Sequence, residues 1–278
     1  MKAIALVTCL IGCSGGAPPA GDDVAPPPPA DANPECTGTN VTDVAGAITA
    51  ATTWSGTINL TADTNIAAGV TVTVMPGTLI HAAQGADLAI GGTLDVEGTS
   101  ACPVVARAVD TGWGGMTIGN GGELIAHYLD QTGGNIVLQG TAKATIVDSR
   151  MSNTVGDFIV VAGGTLDVQY SWIGVEQGEA DTTHCDLHFA GTNVTNTIKV
   201  THSNLSTASY GLMLYNGMNA DLTYNNWFGN ATDIDTDPAR PATGDVSFGF
   251  FAKGTPNQVG VTATNLAAAR LADAGPRP

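Results

Sequence analysis

Histidine and aspartate alternate in one short segment of this chain, and these residue types can bind metal ions. The segment Thr183–Phe189 reads THCDLHF, and alternate residues of a β-strand point to the same face. The alternation predicts His184, Asp186 and His188 on one outer face, where imidazole and carboxylate can bind Zn²⁺. His184 and His188 would lie about 13 Å apart on a straight strand, so a shared ion needs a further ligand. The candidates for that ligand are His202, Glu179 and Asp181. A solvated polar strand face is the alternative.

A second acidic pattern lies further along the chain. Asp233, Asp235 and Asp237 occupy alternate positions in the segment DIDTDP, and an oxygen-rich loop of this kind can bind Ca²⁺. The segment lacks the glycine and the distal glutamate of an EF-hand loop. It is therefore a candidate calcium site, and solvated turn carboxylates are the alternative.

Aromatic and amide side chains are concentrated in the same part of the sequence. Aromatic faces beside amides can hold neutral sugars through stacking and hydrogen bonds. The candidate ligand-binding residues are Tyr215, Tyr224, Asn226 and Trp227. The alternative is that these side chains pack a loop against the body of the protein.

The composition limits the class of protein that can carry these sites. The chain has 278 residues, and its 9 basic and 25 acidic side chains give a formal charge of −16, which argues against binding a nucleic-acid backbone. Thirty-six glycines and 14 prolines, with only 12% charged residues, indicate a turn-rich rather than a helical protein.

The N-terminal region predicts where the protein is localised. Lys2 precedes an apolar run that is too short to span a bilayer, as in a secretory signal peptide. The run closes with Leu-Ile-Gly-Cys, which resembles the bacterial lipobox and implies a signal peptide over residues 1–12 with Cys13 as the lipid-carrying residue. Ser14 stands where an aspartate would imply retention in the inner membrane, so the resemblance implies the outer membrane. The alternative is an ordinary secretory signal with two incidental cysteines. Residues 13–35 are rich in proline and predict a disordered tether.

Internal repeats predict the architecture of residues 36–278. The sequence GGTLDV occurs at Gly91–Val96 and again at Gly163–Val168, 72 residues later, which is three units of 24. Short alternating strands recur between and around these copies at intervals of 20 to 28 residues. A period in this range, without long helices, predicts an all-β parallel β-helix. Serine and asparagine recur at equivalent turns and predict hydrogen-bonded ladders between coils. These residues are Ser149, Ser171, Ser203 and Asn225.

The repeat also resembles a known group of folds. The run Ile66–Ile80, followed by GGTLDVEG, resembles the first coils of right-handed parallel β-helix proteins of the pectate-lyase-like type. This resemblance covers about Ile58 to Thr264 and concerns structure, not chemistry. Because the ends of a solenoid expose strand edges, we expect short helical caps at about residues 42–54 and 265–275.

Enzymatic function remains an alternative. Polysaccharide lyases with this fold neutralise an acidic sugar with Ca²⁺ and use a basic residue, but the basic residues here are isolated and the net charge repels polyuronates. The 25 acidic residues leave a glycosidase pair open. The alternative function is therefore a polysaccharide lyase or glycoside hydrolase that uses Asp186, Asp233 or Asp235 with His184 or His188.

The cysteines add one structural prediction. If Cys9 is lost with the signal peptide and Cys13 carries a lipid, three cysteines are left, so one thiol is spare. Cys36 follows the tether and Cys102 lies in a turn of an early coil, which predicts a disulfide that pins the N-terminal end. Cys185 alternates with Leu187 and Phe189 and is predicted to be a buried core thiol.

These observations together favour a non-enzymatic binding or structural protein of the cell envelope. It would be anchored in the outer membrane by its lipid and would contact glycans or cell-surface proteins through a lateral face, with Zn²⁺ or Ca²⁺ as candidate cofactors. No nucleic-acid partner is expected.

Overall fold

The computed structural model describes Cys36 and residues 38–110, 112–191 and 197–278. The predicted signal peptide, the lipid-carrying Cys13 and the proline-rich tether lie outside the described residues.

Twenty-seven strands make up the described part of the chain. They are β1 (Val41–Ile48), β2 (Thr52–Trp54), β3 (Thr57–Ile66), β4 (Thr71–Val74), β5 (Leu79–Ala82), β6 (Asp87–Ile90), β7 (Thr93–Glu97), β8 (Val104–Ala108), β9 (Gly115–Ile118), β10 (Glu123–His127), β11 (Leu129–Thr132), β12 (Asn135–Leu138), β13 (Lys143–Val147), β14 (Arg150–Ser152), β15 (Gly156–Val161), β16 (Thr165–Gln169), β17 (Trp172–Gly174), β18 (Thr183–Phe189), β19 (Ile198–Thr201), β20 (Asn204–Ser206), β21 (Tyr210–Leu214), β22 (Asn219–Asp221), β23 (Asn226–Phe228), β24 (Thr232–Thr236), β25 (Thr243–Asp245), β26 (Phe250–Phe251) and β27 (Val261–Thr262).

These strands form a parallel β-solenoid of about nine turns, as the repeat predicted. A typical turn contributes three strands, and each strand pairs in parallel with its equivalent in the next turn. The first side contains β5, β8, β11, β14, β17, β20, β23 and β26; the second contains β6, β9, β12, β15, β18, β21 and β24; the third contains β2, β4, β7, β10, β13, β16, β19, β22, β25 and β27.

The two copies of GGTLDV occupy the same place in the solenoid. Each copy forms a strand of the third side, β7 or β16, and places leucine and valine in the core. Buried apolar residues stack in register on successive turns of this side: Leu94, Leu124, Ala144 and Leu166. Like residues stack because equivalent strands of adjacent turns lie only about 4.8 Å apart, so alternation within one strand builds a continuous core.

The predicted ladder of turn residues is confirmed. The backbone N–H of Ser149 donates to Oγ of Ser171 at 3.2 Å, the N–H of Ser171 donates to Oγ of Ser203 at 3.1 Å, and the N–H of Ser203 donates to Oδ1 of Asn225 at 2.8 Å. All four side chains are buried. They accept from main-chain amides of the preceding turn, which a buried corner would otherwise leave unpaired.

The expected N-terminal helical cap is wrong. Val41–Ile48 forms strand β1, which pairs in parallel with β3. Helical spacing is a local signal, whereas the exposed edge of β3 offers a full row of backbone hydrogen-bonding groups. Pairing with that edge satisfies more backbone than one or two turns of isolated helix would.

The expected C-terminal helix is also wrong, because the described residues contain no helix. Residues 265–278, here called the strap, run back along the side of the solenoid instead. Leu271 N–H donates to Oδ1 of Asn226 at 2.8 Å, Gly275 N–H donates to the carbonyl of His202 at 2.8 Å, and Arg277 reaches Asp148. A helix of about eight residues is marginal alone, and these long-range contacts replace its internal hydrogen bonds.

The predicted disulfide is confirmed. Cys36 and Cys102 are bonded, with their Cα atoms 5.6 Å apart. Cys185 is a free, fully buried thiol, as the alternation indicated. Burial raises its pKa strongly, which makes it an inert core residue.

Candidate functional site

The histidine-rich segment lies on the second side of the solenoid, at an irregular point in the strand pairing. In strands β15 and β18, Gly156 pairs with Thr183 but Asp157 pairs with Cys185, so His184 is an extra residue in a bulge. A bulge bends its strand and redirects side chains. His184 is consequently turned outward, with half of its side chain exposed.

Asp157 joins the two histidines of this segment. Its Oδ1 lies 2.9 Å from Nδ1 of His184, and its Oδ2 lies 2.6 Å from Nδ1 of His188. Burial raises the pKa of Asp157, but the hydrogen bonds from His188 and His184 outweigh this effect and the pKa falls below its ordinary value. The carboxylate therefore stays charged and accepts an N–H from each ring, which makes Nε2 the acceptor nitrogen of each neutral imidazole.

Aromatic side chains flank both imidazoles. The ring of Tyr210 meets His184 edge to face at 5.2 Å, and the ring of Tyr215 meets His188 at 5.8 Å. We call the group Asp157, His184, His188, Tyr210 and Tyr215 the histidine patch.

Further contacts fix Tyr215 within the histidine patch. The Tyr215 hydroxyl donates to Asp235, and the guanidinium of Arg240 lies 4.0 Å from the centre of the Tyr215 ring. Burial and the Asp235 carboxylate raise the pKa of Tyr215, so it stays a hydroxyl donor. The patch is thus held rigidly on the solenoid wall.

The pKa of Asp157 predicts how the stability of the patch depends on pH. Because the folded pKa lies below the ordinary value, the contribution of Asp157 is fully present above about pH 4 and is lost as the pH falls through the folded value. Asp157→Asn should cost about 2 kcal/mol at neutral pH, and the difference from wild type should shrink below pH 4. Urea unfolding of wild type and variant across this pH range measures the difference in stability. A difference that does not depend on pH would contradict the conclusion that Asp157 is charged in the folded protein at neutral pH.

The structure does not assemble the predicted zinc ligands. Asp186 is completely buried, not on the outer face with His184 and His188. His202 lies at the end of the third side, stacked between Tyr170 and Tyr224. Among the described residues no group of three or more histidine, cysteine or acidic side chains is arranged to hold a metal ion. The corner at the bulge turns Asp186 inward, which strict alternation does not anticipate.

The three predicted calcium ligands point to different partners. Asp233 is bonded to the amide of Asn230, Asp235 accepts from Tyr215, and Asp237 forms an ion pair with Arg240 at 2.7 Å. The segment therefore forms part of strand β24 and a turn, and it does not form a common oxygen cage. Burial raises the pKa of Asp233, whereas the Arg240 hydrogen bond lowers that of Asp237.

The predicted sugar-binding aromatics are largely internal. Trp227 is fully buried and stacks on Phe251 with ring centres 5.5 Å apart. Asn226 is buried beneath the strap. Tyr224 is partly exposed, but its two faces are covered by His202 and Phe248, each about 4.9 Å away. Tyr215 packs against His188 of the histidine patch, but its side chain is buried as well.

The strap creates a groove that the sequence did not reveal. The groove has a volume of about 400 Å³. Its lining includes Tyr128, Asp130, Asp148, Arg150, Pro276 and Arg277. Asp130 and Arg150 face each other on neighbouring strands, and Arg277 binds Asp148 through two contacts of 2.7 and 2.8 Å. Asp148 and Arg277 are 129 positions apart, so no local pattern signals their pairing.

The chain matches no model of a protein family, and neither a curated protein nor a solved structure is similar to it. In the described part of the chain, no helix has the length and apolar character needed to cross a membrane.

Proposed function

We propose that this protein is a non-enzymatic binding module of the cell envelope, built on a right-handed β-helix like those of the pectate-lyase-like type. Its lipid on Cys13 anchors it in the outer membrane, and the proline-rich tether at residues 13–35 holds the solenoid away from the bilayer. The histidine patch binds the ligand, which we propose to be a neutral glycan on a cell surface.

The observation that carries this proposal is the bridge from Asp157 to both imidazoles. The bridge fixes the orientation of His184 and His188 before any ligand arrives, which lowers the entropic cost of binding. Each Nε2 then accepts a hydrogen bond from a sugar hydroxyl. The partly exposed ring of Tyr210 supplies an apolar surface for the sugar ring beside them.

The charge of the protein selects among glycans. A formal charge of −16 disfavours binding of acidic polysaccharides and anionic lipid surfaces. The patch itself presents two imidazoles hydrogen-bonded to one carboxylate, and the partly exposed ring of Tyr210. Neutral sugars with several hydroxyl groups match this set of donors and acceptors.

A glycan array probed with the purified protein tests the proposal. Wild type should bind a restricted set of neutral glycans, and His188→Ala should weaken that binding by about tenfold or more because it removes both a ligand contact and a partner of Asp157. His202→Ala is the matched control, since that histidine lies on the other side of the solenoid, and it should bind as wild type does. Binding to no glycan, or equal loss in both variants, would reject the patch as a glycan site.

The strap groove favours one alternative, a carbohydrate-active enzyme. It is concave and brings Asp130, Asp148 and Arg150 together, whereas the predicted catalytic candidates Asp186 and Asp233 are buried and cannot reach a polymer. Burial lowers the pKa of Arg150, and the neighbouring Asp130 carboxylate opposes that shift. The test is to incubate the protein with the glycans that it binds on the array and to measure the release of reducing ends. Release that is abolished in Asp130→Asn and retained in His188→Ala would favour the enzyme over the binding module.

A further inference from the structure

One corner of the solenoid differs from its neighbours in length. Between the first and second sides, the turns before and after use three residues, at 153–155 and 207–209. In the turn between them the chain leaves the wall at Gly174 and returns at Thr183, so an eight-residue loop, 175–182, replaces the corner. We call this loop and the wall beneath it the acidic corner.

Asp181, near the end of this loop, is hydrogen-bonded to the preceding turn. Oδ1 of Asp181 accepts hydrogen bonds from the backbone N–H of Asn153 at 3.0 Å and from both the backbone N–H and the hydroxyl of Thr183. It thereby pairs an amide of the preceding turn that a normal corner would satisfy. Its second oxygen, Oδ2, is buried and has no hydrogen-bond partner.

Asp186 lies in the wall beneath the loop and is entirely buried. In the stacked strands of the second side, Asp186 lies between Phe158 of the preceding turn and Gly211 of the next. A side chain at Gly211 would point at the Trp227 ring, since a Cβ atom built there would lie 3.1 Å from it. The side chains at these stacked positions therefore face the interior. Neither oxygen of Asp186 forms a hydrogen bond of good geometry; the backbone N–H of Ser206 is near enough to lower the pKa of this carboxyl, but burial outweighs it and raises that pKa well above its usual value. Asp186 and Asp181 are close enough for the charge of one to act on the other.

Such an arrangement needs a compensating charge or a proton. An unpaired buried carboxylate is costly, and two neighbouring ones are more so. The basic residue that contacts the loop, Arg270, is bonded to Glu176 at 3.0 Å and packs over Phe228 at 3.7 Å, on the outer surface. It therefore balances Glu176 and not the two aspartates.

We propose that Asp181 and Asp186 bind a divalent cation, Ca²⁺ by preference, at the acidic corner. Three buried oxygens that form no hydrogen bond of good geometry supply hard, anionic ligands, which Ca²⁺ favours. Main-chain carbonyls and water complete the coordination. The cation ties the loop at 175–182 to the wall, and this role is independent of the histidine patch.

Two experiments test this site. In the first, purified protein that has been stripped of metal with EGTA is titrated with CaCl₂ in a calorimeter. In the second, thermal unfolding is compared in CaCl₂ and in EGTA. Wild type should bind Ca²⁺ and unfold at a higher temperature with it. In Asp186→Asn the dissociation constant should rise about tenfold or more, and the thermal shift should disappear. In EGTA this variant should unfold at or above the temperature of stripped wild type, because a neutral amide replaces an unpaired charge.

Asp233→Asn is the matched control. Asp233 is another buried carboxylate on the second side, two turns away, but it is bonded to Asn230. This variant should keep the wild-type response to Ca²⁺. If stripped wild type does not bind Ca²⁺, the proposal is overturned, and Asp186 is then a buried acid that is stabilised by a proton and not by a cation. An unchanged Ca²⁺ response in Asp186→Asn would overturn it as well.

Discussion

Trp227→Ala is expected to destabilise the protein by about 3–5 kcal/mol. The indole is fully buried among the inward-facing side chains, stacks on Phe251 and fills the space beside Gly211. Its removal leaves a cavity that the closely stacked turns on either side cannot close, because each is fixed by its own hydrogen bonds to the next. Urea unfolding of wild type and variant measures the loss.

Tyr224→Ala serves as the control for this prediction. Tyr224 precedes the same strand but lies outside, in a stack with His202 and Phe248, and its removal should cost about 1 kcal/mol. Neither variant should alter glycan binding by the folded protein, since Trp227 points into the core and Tyr224 lies in its aromatic stack at the third side. A stable Trp227→Ala protein that has lost ligand binding would mean that Trp227 contacts ligand and that its burial is wrongly assigned.

Loss of the Cys36–Cys102 disulfide should have a comparable effect. The bond joins residues 66 positions apart, and closing a loop of that length stabilises the folded state by about 4 kcal/mol in the chain-entropy description. Cys36→Ser/Cys102→Ser should therefore unfold at lower denaturant concentration. The loss should begin at the N-terminal end, where β1 has one strand partner, β3, among the described residues.

Reduction of the wild-type protein provides the internal check. Dithiothreitol should lower wild-type stability to that of the double variant and leave the double variant unchanged. Cys185→Ala is the matched control, because Cys185 is a buried free thiol, and this variant should retain the full effect of dithiothreitol. Equal stability of reduced and oxidised wild type would show that the bond does not constrain the unfolded chain.

The strap joins parts of the solenoid that are distant from it in sequence. It bonds to Asn226 in β23 and Asn204 in β20, and to His202 and Asp148 at the corners that precede β20 and β14. Asn204 and Asn226 are buried and bonded to each other, and the strap pairs their remaining amide groups. The strap is thus a lateral cover and not an end cap, and it forms one wall of the groove at Asp130 and Arg150.

The sequence alone determined the solenoid, the core and the turn ladder. Alternation at Val72, Leu94 and Val168 places apolar residues on one face of each short strand, and the recurrence of such strands every 20 to 28 residues requires stacked turns. These signals are sufficient because each turn repeats the contacts of the last. The Cys36–Cys102 pair was also predictable, since few cysteines were left to combine.

Only the tertiary structure decided which side chains meet. The bulge at His184 and the long corner that follows Gly174 turn Asp186 into the interior, and they bring Asp157, from the preceding turn, between the two histidines. Both expected helices gave way to pairing with residues distant in sequence, at β3 and at Asn226. Periodicity reports the direction of a side chain within a regular strand. Corner lengths and contacts between turns decide its neighbours, and no local pattern encodes them.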